Sequence, residues 1–169
     1  MAEAMATALA AEPMNLAAVI ETALGELRTR QPDLAVRFDR EIDTRIAVRG
    51  DPAQLAQVFR NLAENASHAM HGRGTVRIST ERRGPNVEVA IDDEGPGIPA
   101  EVLPRIFEPF FTTKTGGSGT GLGLFVCYGI IKSHQGYLRA ENRPEGGARF
   151  LIGLPVVADE SARRETERS

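Results

Sequence analysis

The feature that most constrains the fold is a predicted helix with an apolar stripe and a polar stripe side by side. Asp51-Pro52 is a capping residue followed by proline in the first turn, which is a strong helix start. Apolar side chains then recur at helical spacing, at Leu55, Val58, Phe59, Leu62, Ala66 and Ala69. The polar stripe consists of Gln54, Gln57, Asn61, Asn65 and His68. We therefore predict a helix that ends near Met70, packs on a core and presents amide side chains along one edge.

Shorter patterns on both sides of this helix predict an α/β fold. In chain order they indicate a helix after Pro13 capped by Asn15, strands over 34–38 and 45–48, an antiparallel pair over 75–80 and 86–92 around a turn at 83–85, a short helix after Pro99, a helix over 121–133, and strands over 137–141 and 149–154. Helices interspersed with strands predict a two-layer α/β sandwich.

The composition is that of one ordinary globular domain. The chain has 169 residues, of which 41% are hydrophobic and 25% charged, and its net charge of −3 argues against a nucleic-acid-binding protein with a broad basic face. No apolar run approaches the roughly 18 residues that cross a bilayer, and the N-terminus lacks the pattern of a secretory signal. Cys127 is the only cysteine in the sequence, so no intramolecular disulfide can form. We expect a cytoplasmic domain, and a longer parent chain could still carry a membrane anchor.

The first glycine cluster, Gly95-Pro-Gly97-Ile-Pro-Ala100, follows a predicted strand and loosely matches a dinucleotide-binding loop. A phosphate there would face the carboxylates of 92–94, and no β-α-β unit surrounds the motif, so we exclude that interpretation. The motif alone is also compatible with a simple tight turn. An ionised Asp93 at the base of a pocket could instead accept a hydrogen bond from the exocyclic amine of adenine. Guanine has an oxygen at that edge and would be repelled, a difference of about 1–3 kcal/mol.

The second glycine cluster, 116–123, leads straight into a predicted apolar helix. It is not a P-loop, because the residues before Lys114-Thr115 lack the required glycine pattern. Its backbone N–H groups could approach a polyphosphate with no side chain in the way. This favours anion binding over the alternative, a flexible linker.

Asn61 and Asn65 lie one helical turn apart on the polar stripe. One amide oxygen together with phosphate oxygens is a sufficient Mg²⁺ site, although such a pair alone is more often a solvated stripe. His68 and His71 are three residues apart but have no further ligand pattern that would make a zinc site. Cys127 lies among apolar helix residues, which is typical of a core position and not of a nucleophile.

Four motifs occur in succession, and their order is more specific than any one of them. They are Asn61-Leu-Ala-Glu-Asn65-Ala, Asp93-Glu-Gly95-Pro-Gly97-Ile98, Arg105-Ile-Phe-Glu-Pro-Phe-Phe-Thr-Thr-Lys114 and Gly119-Thr-Gly121-Leu-Gly123-Leu124. Over about 13–155 the chain resembles the catalytic ATP-binding domain of bacterial sensor histidine kinases, in the gyrase/Hsp90/histidine-kinase/MutL superfamily. The motifs correspond to the N box, first glycine box, F box and second glycine box of that family.

The resemblance implies the Bergerat fold, a two-layer α/β sandwich in which helices cover one face of a mixed sheet and a mobile lid closes over ATP. It implies two catalytic residues: Asn65, which would ligate Mg²⁺, and Asn61, which would support the phosphates or the metal shell. It also implies that Asp93 binds adenine. The other cofactor-binding residues that it implies are Gly95, Gly97 and Ile98 around the base, His68 and Lys114 at the phosphates, and Gly119, Thr120, Gly121, Leu122 and Gly123 in the lid.

The sequence departs from the family pattern at positions that bear on mechanism. His68 stands where many relatives carry lysine, and Ala148 stands where a hydroxyl residue often assists the adenine carboxylate. Gyrase-like ATPases and the anti-sigma serine kinases carry a general-base glutamate four positions before the metal-binding asparagine. This chain has Asn61 there, and Glu64 lies off that face of the helix. Together with the Phe107-Glu-Pro-Phe-Phe run, this favours a histidine kinase, and we expect very slow ATP hydrolysis by the chain alone.

The predicted domain organisation is that of one catalytic domain. We expect 1–12 to be a linker or the end of an upstream helix, 13–156 to be the ATP-binding domain, monomeric in isolation, and 157–169 to be a flexible tail. None of the three histidines lies in a phosphoacceptor motif, so we expect an excised domain or, alternatively, a stand-alone module acting in trans.

The resemblance also implies partners. Besides ATP, they are a histidine-bearing dimerisation and phosphotransfer domain of the same or another kinase, which would make the parent a homodimer, and a downstream response regulator. The alternatives are a non-catalytic nucleotide-sensing or partner-docking module, and a stand-alone ATPase or anti-sigma-type serine kinase.

Overall fold

The structure is a computed structural model that describes residues 12–109 and 123–157. Within these residues the chain forms seven strands and three α-helices. The strands are β1 (Glu12–Asn15), β2 (Ala35–Glu41), β3 (Ala47–Gly50), β4 (Arg73–Arg83), β5 (Asn86–Asp92), β6 (Tyr137–Asn142) and β7 (Ala148–Pro155). The helices are α1 (Leu16–Arg30), α2 (Pro52–Ala69) and α3 (Gly123–Ser133), and a 3-10 turn covers Leu103–Arg105. None of the described helices combines the length and the apolar composition that crossing a membrane requires.

Five of the strands form one mixed sheet, in the order β2-β4-β5-β7-β6. β2 runs parallel to β4, and every other neighbouring pair is antiparallel. The parallel pair needs a long crossover, which β3 and α2 supply. β1 and β3 form a separate two-stranded antiparallel sheet. The predicted α/β class with a mixed sheet is confirmed, and so is the antiparallel pair around 83–85.

Both long helices begin at the predicted caps. The side chain of Asn15 accepts a hydrogen bond from the backbone N–H of Ala18, at 3.0 Å, at the start of α1. The Asp51 carboxylate accepts from the N–H groups of Ala53 and Gln54 at the start of α2. Each cap satisfies backbone donors that have no partner inside the helix, which is why these residue types start the helix there.

The helices cover one face of the five-stranded sheet and enclose the core. α2 packs against α1 and α3, and also against β4 and β5 beneath it. Its apolar stripe is buried, with Leu55, Phe59 and Leu62 at most 1% exposed. On β5, Val87 and Ile91 point into the same layer. Each such side chain contributes about 1.5–3 kcal/mol on burial, so the stripe fixes α2 on the sheet and orients its polar edge.

The other face of the sheet is polar, and two of its carboxylates are nevertheless buried. Glu88 accepts hydrogen bonds from the Tyr137 hydroxyl and from Arg139. Tyr137 on β6 and Glu88 on β5 lie on opposite sides of β7, and the residue between them is Gly153. The Tyr137 ring crosses β7 at this glycine, where a Cβ would overlap the ring. Asp92 is held by two hydrogen bonds from the Arg149 guanidinium, at 2.7 and 2.9 Å.

The structure differs from the sequence predictions in two elements. The sequence does not predict β1, because its four residues contain a proline and no alternation, and the strand exists through its pairing with β3. The helix predicted after Pro99 is only the 3-10 turn, since Pro104 would interrupt the interior of a longer helix.

The predicted limits of the domain stay predictions. Apart from Glu12, the proposed linker over 1–12 lies outside the described residues. The proposed tail lies outside them from residue 158 onward.

His134 joins the end of α3 to the start of α2. Its Nδ1 lies 2.7 Å from the carbonyl oxygen of Ile130, and its Nε2 accepts a hydrogen bond from the N–H of Asp51 at 3.1 Å. The two partners together select the tautomer with the proton on Nδ1. The ring also lies against Gly50, where a Cβ would overlap it. The imidazole therefore acts as a bridge between two helix ends.

We predict that His134→Ala lowers the free energy of unfolding by about 1–3 kcal/mol, because it removes both hydrogen bonds and leaves the N–H of Asp51 without its partner. Urea denaturation of the whole chain measures the change. His71→Asn is the control: His71 is exposed at φ 57°, a conformation that asparagine tolerates, so its effect should stay within about 0.5 kcal/mol. Equal stability of the His134→Ala chain and the parent chain would refute the bridge.

Candidate functional site

The polar edge of α2 carries three of the predicted site residues. Asn61 and Asn65 are half-buried, and His68, one turn further on, is exposed. The side-chain amide of Asn61 donates to the Cys127 sulfur on α3, at 3.8 Å. These three residues of the stripe therefore run from the contact with α3 toward the C-terminal end of α2.

Asp93 follows β5 and is 1% exposed. Its Oδ1 accepts hydrogen bonds from the backbone N–H of Gly95, at 2.9 Å, and of Ala148, at 3.2 Å. Its main chain is held as well, because its N–H donates to the carbonyl of Ala148 and its carbonyl accepts from Arg143. A buried carboxylate is costly unless it is hydrogen-bonded, so these contacts are what allow Asp93 to occupy this position.

The two hydrogen bonds leave one carboxylate oxygen of Asp93 for a ligand. Among the described residues, every hydrogen bond that the carboxylate accepts ends on Oδ1. An ionised carboxylate has only acceptor sites, so Oδ2 can take a donor such as an amine and cannot take a carbonyl oxygen. The arrangement supports selection of a ligand edge that presents an N–H group.

The segment after Asp93 rests against the C-terminal end of α2. The backbone N–H of Glu94 lies 3.3 Å from the Met70 sulfur, and the Glu94 carboxylate accepts from the N–H of Thr75 at 2.8 Å. A Cβ at Gly95 would lie 2.9 Å from the carbonyl oxygen of Ala69, so a larger residue would push the segment away from the helix. The predicted first glycine box therefore lies against the C-terminal end of the helix that carries the predicted N box.

Two glycines let the backbone approach closely around Asp93 and Ile98. Gly97 has φ 84° and Gly147 has φ 86°, both in the left-handed region that residues with a side chain rarely adopt. A Cβ at Gly147 would overlap the carbonyl oxygen of Asp93. Of the predicted base-site residues, Ile98 is half-buried and packs against the core cluster.

The predicted lid and phosphate residues are only partly within the described structure. Gly123 is exposed in α3. Lys114, Gly119, Thr120, Gly121 and Leu122 lie outside the described residues, so their roles stay predictions.

Glu64 does not face the polar stripe. Its Oε1 accepts a hydrogen bond from the side-chain amide of Gln31, at 3.1 Å, at the C-terminal end of α1. The prediction that Glu64 lies off the site face is therefore confirmed. Among the described residues of α2, the position four before Asn65 is occupied by an amide and not by a carboxylate.

Sequence reasoning missed Arg143 and Asn142, and it did not predict the backbone contact that Ala148 makes. Ala148 lacks the hydroxyl of many relatives, yet its backbone N–H reaches Asp93 directly. Arg143 holds the Asp93 carbonyl at 2.9 Å, and Asn142 makes two hydrogen bonds to Ile98, each of 2.7 Å. Their proximity to the glycine segment arises from the turn between β6 and β7, so no pattern local to that segment reveals them.

The chain matches known proteins over most of its length. It matches the family model for histidine kinase-, DNA gyrase B- and HSP90-like ATPases over residues 50–158. It is 43% identical over 146 residues to sporulation kinase A of Bacillus subtilis (strain 168), a match that covers 85% of this chain and 24% of that protein. The chain thus spans about a quarter of the length of this relative.

The fold is also similar to solved structures. The nucleotide-free catalytic domain of the histidine kinase ThkA superimposes with a TM-score of 0.76 at 34% identity, covering 86% of this chain and 95% of that one. The structure of ThkA in complex with the response regulator TrrA gives a TM-score of 0.73 at 31% identity, covering 87% of this chain and 42% of that one.

The burial of Cys127 on α3 leads to a prediction about thiol reactivity. Burial raises the pKa of Cys127 from 9.0 to about 11, and this difference of two units leaves about 100-fold less thiolate at neutral pH. We expect the native thiol to react with iodoacetamide at least 100-fold more slowly than the thiol of the chain in guanidinium chloride. Because the folded state holds the proton more tightly, the contribution of this group to stability is lost as the pH rises from about 9 towards 11. Fast native labelling at pH 8 would contradict the burial.

Proposed function

Because the chain belongs to the family of histidine kinase-, DNA gyrase B- and HSP90-like ATPases, we propose that it is the catalytic domain of a sensor histidine kinase. In this role it binds Mg-ATP and supplies the γ-phosphate to a histidine on a separate domain. The observation that carries the proposal is the buried carboxylate of Asp93, with one oxygen bound to the backbone and the other without a bond among the described residues, next to a segment that lies against the end of the helix carrying Asn61 and Asn65.

Asp93 accounts for recognition of the base. Its Oδ2 accepts the exocyclic N–H of adenine, whereas the carbonyl oxygen of guanine at the same edge would face a negative charge. Ile98 offers an apolar surface for the ring, and the backbone of Gly95 and Gly97 shapes the pocket beside it. The hydrogen bonds to Oδ1 are made without ligand, so the carboxylate is preorganised for binding.

The asparagines suit the phosphate end of the ligand. Mg²⁺ takes oxygen ligands and keeps several waters, so the half-buried amide oxygen of Asn65 fits it, with Asn61 supporting the same region. His68 is exposed at the next turn, and we propose that it contacts phosphate. When bound, Mg²⁺ neutralises phosphate charge. Lys114 and the segment 119–123 are proposed to complete this end of the site.

The same residues favour transfer over hydrolysis. In the position where gyrase-like relatives carry a general base, this chain has Asn61, and the carboxylate of the nearby Glu64 is hydrogen-bonded to Gln31 at the end of α1. No carboxylate among the described residues of α2 is therefore aligned with Asn65 to activate water. Catalysis by this chain consists of positioning ATP and compensating its charge, and the acceptor histidine comes from elsewhere.

An aromatic surface on α3 is proposed as the docking site for the histidine-bearing helical domain. Among the described residues, the exposed large apolar side chains are Phe125 (43%) and Tyr128 (36%). Phe107 stacks on Tyr128 with the ring centroids 5.6 Å apart. α3 follows directly on the glycine cluster proposed to hold the phosphates, so a domain bound there would lie beside the donor end of ATP.

The proposed setting is a two-component signalling protein. ThkA, a relative in structure, is seen in complex with a response regulator. By analogy we propose a response regulator as the downstream partner of the parent kinase. A homodimeric parent, a monomeric isolated domain and a cytoplasmic location are parts of the same proposal.

Asp93→Asn tests the base site. The N–H groups of Gly95 and Ala148 require the amide oxygen at the Oδ1 position, so the new NH₂ group takes the place of Oδ2 and faces the adenine amine. Titration calorimetry should show ATP affinity falling by about 10- to 100-fold, with discrimination against GTP reduced. Glu94→Gln is the matched control, because it removes the neighbouring charge and keeps the oxygen that binds Thr75. If Asp93→Asn bound ATP with unchanged affinity, the assignment of Asp93 to adenine would be wrong.

The same titration with and without Mg²⁺ tests the phosphate end. Asn65→Ala should abolish most of the gain in affinity that Mg²⁺ gives the parent chain and leave the affinity measured in EDTA nearly unchanged. An equal loss in both conditions would argue against Asn65 as the ligand.

The phosphotransfer assay tests the activity. We expect the chain to label the histidine of the phosphoacceptor domain of its parent kinase with γ-phosphate from ATP, while hydrolysis by the chain alone stays near background. Phe125→Ser should lower the transfer rate about 10-fold without changing ATP affinity, as expected for a central contact of an interface. Arg37→Ala, exposed on β2, is the control.

The two opposite results of this assay have different meanings. Absence of labelled histidine with a binding-competent chain would favour a non-catalytic nucleotide-sensing module. Brisk hydrolysis by the chain alone would favour a gyrase-like ATPase.

A further inference from the structure

We propose that Asn142 is a positioning residue that holds the Gly97–Ile98 segment against the adenine ring, a role that rests on the nucleotide site proposed above. Asn142 is the last residue of β6. Its Oδ1 accepts from the backbone N–H of Ile98, and its Nδ2 donates to the carbonyl of Ile98, each at 2.7 Å. One side chain thus satisfies both main-chain groups of the residue that offers its surface to the base.

This double contact replaces the pairing that a neighbouring strand would provide. In a hydrogen-bonded pair of an antiparallel sheet, the N–H and the C=O of one residue both form hydrogen bonds with the residue opposite. Residues 95–98 belong to no helix or strand, so the backbone of Ile98 has no ladder partner. The amide of Asn142 has one acceptor and one donor group in fixed relation, which is the combination that can imitate such a pair.

Gly97 is shaped to admit the Asn142 side chain. It has φ 84°, and a Cβ on it would lie 2.8 Å from the Oδ1 of Asn142. A side chain at this position would therefore push the amide off Ile98. The glycine and the asparagine, 45 positions apart in the chain, fit each other.

The turn after Asn142 fixes the other end of the same segment. Arg143 donates to the Asp93 carbonyl at 2.9 Å, and Ala148, at the start of β7, donates to the Asp93 carboxylate. The turn between β6 and β7 therefore holds Asp93 at one end and Ile98 at the other. This sets the spacing between the group that recognises the edge of the base and the group that packs on its face, before a ligand binds.

Asn142→Ala should loosen Ile98 while Asp93 keeps its own hydrogen bonds. The segment would then have to be ordered on binding, which we expect to raise the dissociation constant about 5- to 10-fold. Because the effect acts on the base, it should be the same factor for adenosine, ADP and ATP, measured by calorimetry on the whole chain. The urea denaturation midpoint of Asn142→Ala should stay that of the parent chain. A general structural defect would lower the midpoint instead.

A second measurement reads the contact itself. Amide hydrogen exchange of Ile98, followed by NMR in the free protein, should be slow in the parent chain and fast in Asn142→Ala. Asn142→Asp keeps the acceptor for the Ile98 N–H and loses the donor, so it should retain slow exchange at Ile98 with an intermediate affinity. Asn86→Ala, at the opposite end of β5 from Asp93, is the matched control and should change neither quantity.

The outcomes separate this inference from the proposed function. If the parent chain binds ATP and Asp93→Asn weakens it, but Asn142→Ala changes neither affinity nor Ile98 exchange, the positioning role is wrong and the nucleotide site stands. A loss confined to ADP and ATP would also overturn it, because the defect would then lie at the phosphates. If the parent chain binds none of the three ligands, the proposed function fails and the inference fails with it.

Discussion

The carboxylate of Asp93 is almost completely removed from solvent, and a charge in that position is stable only when fixed donors surround it. Meeting this requirement brings three segments together: the end of β5, the glycine segment after it and the turn between β6 and β7. Gly95 and Ala148 supply the donors, and Gly147 leaves room for the main chain of Asp93 to come close. The proposed base-recognition end of the site is consequently held by the sheet before any ligand binds.

α2 connects the region around Asp93 with the other end of the proposed site. Its apolar stripe fixes it on the sheet, its C-terminal end contacts Glu94 through Met70, and Asn61 in its middle contacts Cys127 on α3. The distance between the proposed base end and the proposed phosphate end is therefore set by the length of one helix. Because Glu64 is hydrogen-bonded to Gln31, the polar stripe of that helix offers amides to the proposed phosphate end. This suits the proposed role of holding ATP for an external acceptor.

Many local elements of the fold could be predicted, because local interactions determine them. The caps at Asn15 and Asp51, the apolar stripe of α2 and the alternation on β5 each depend on residues within a few positions of one another. The succession of four motifs was enough to identify the family, and Asp93 and the asparagines were named as site residues from it. The short helix predicted after Pro99 is only a 3-10 turn, because Pro104 limits it. β1 was not foreseen, because it exists only through its partner strand.

By itself, the sequence determined the family and the local elements, and it predicts which residues serve as base acceptor, metal ligand and phosphate loop, since the motifs occur in the order of that family. Only the tertiary structure decided what supports them. Asn142 meets Ile98 across 44 positions and Arg143 meets Asp93 across 50, and the Tyr137 ring reaches Glu88 over Gly153. Such contacts depend on which strands become neighbours and in what register. A pattern read along one segment contains no information on that, so they appear only once the sheet is formed.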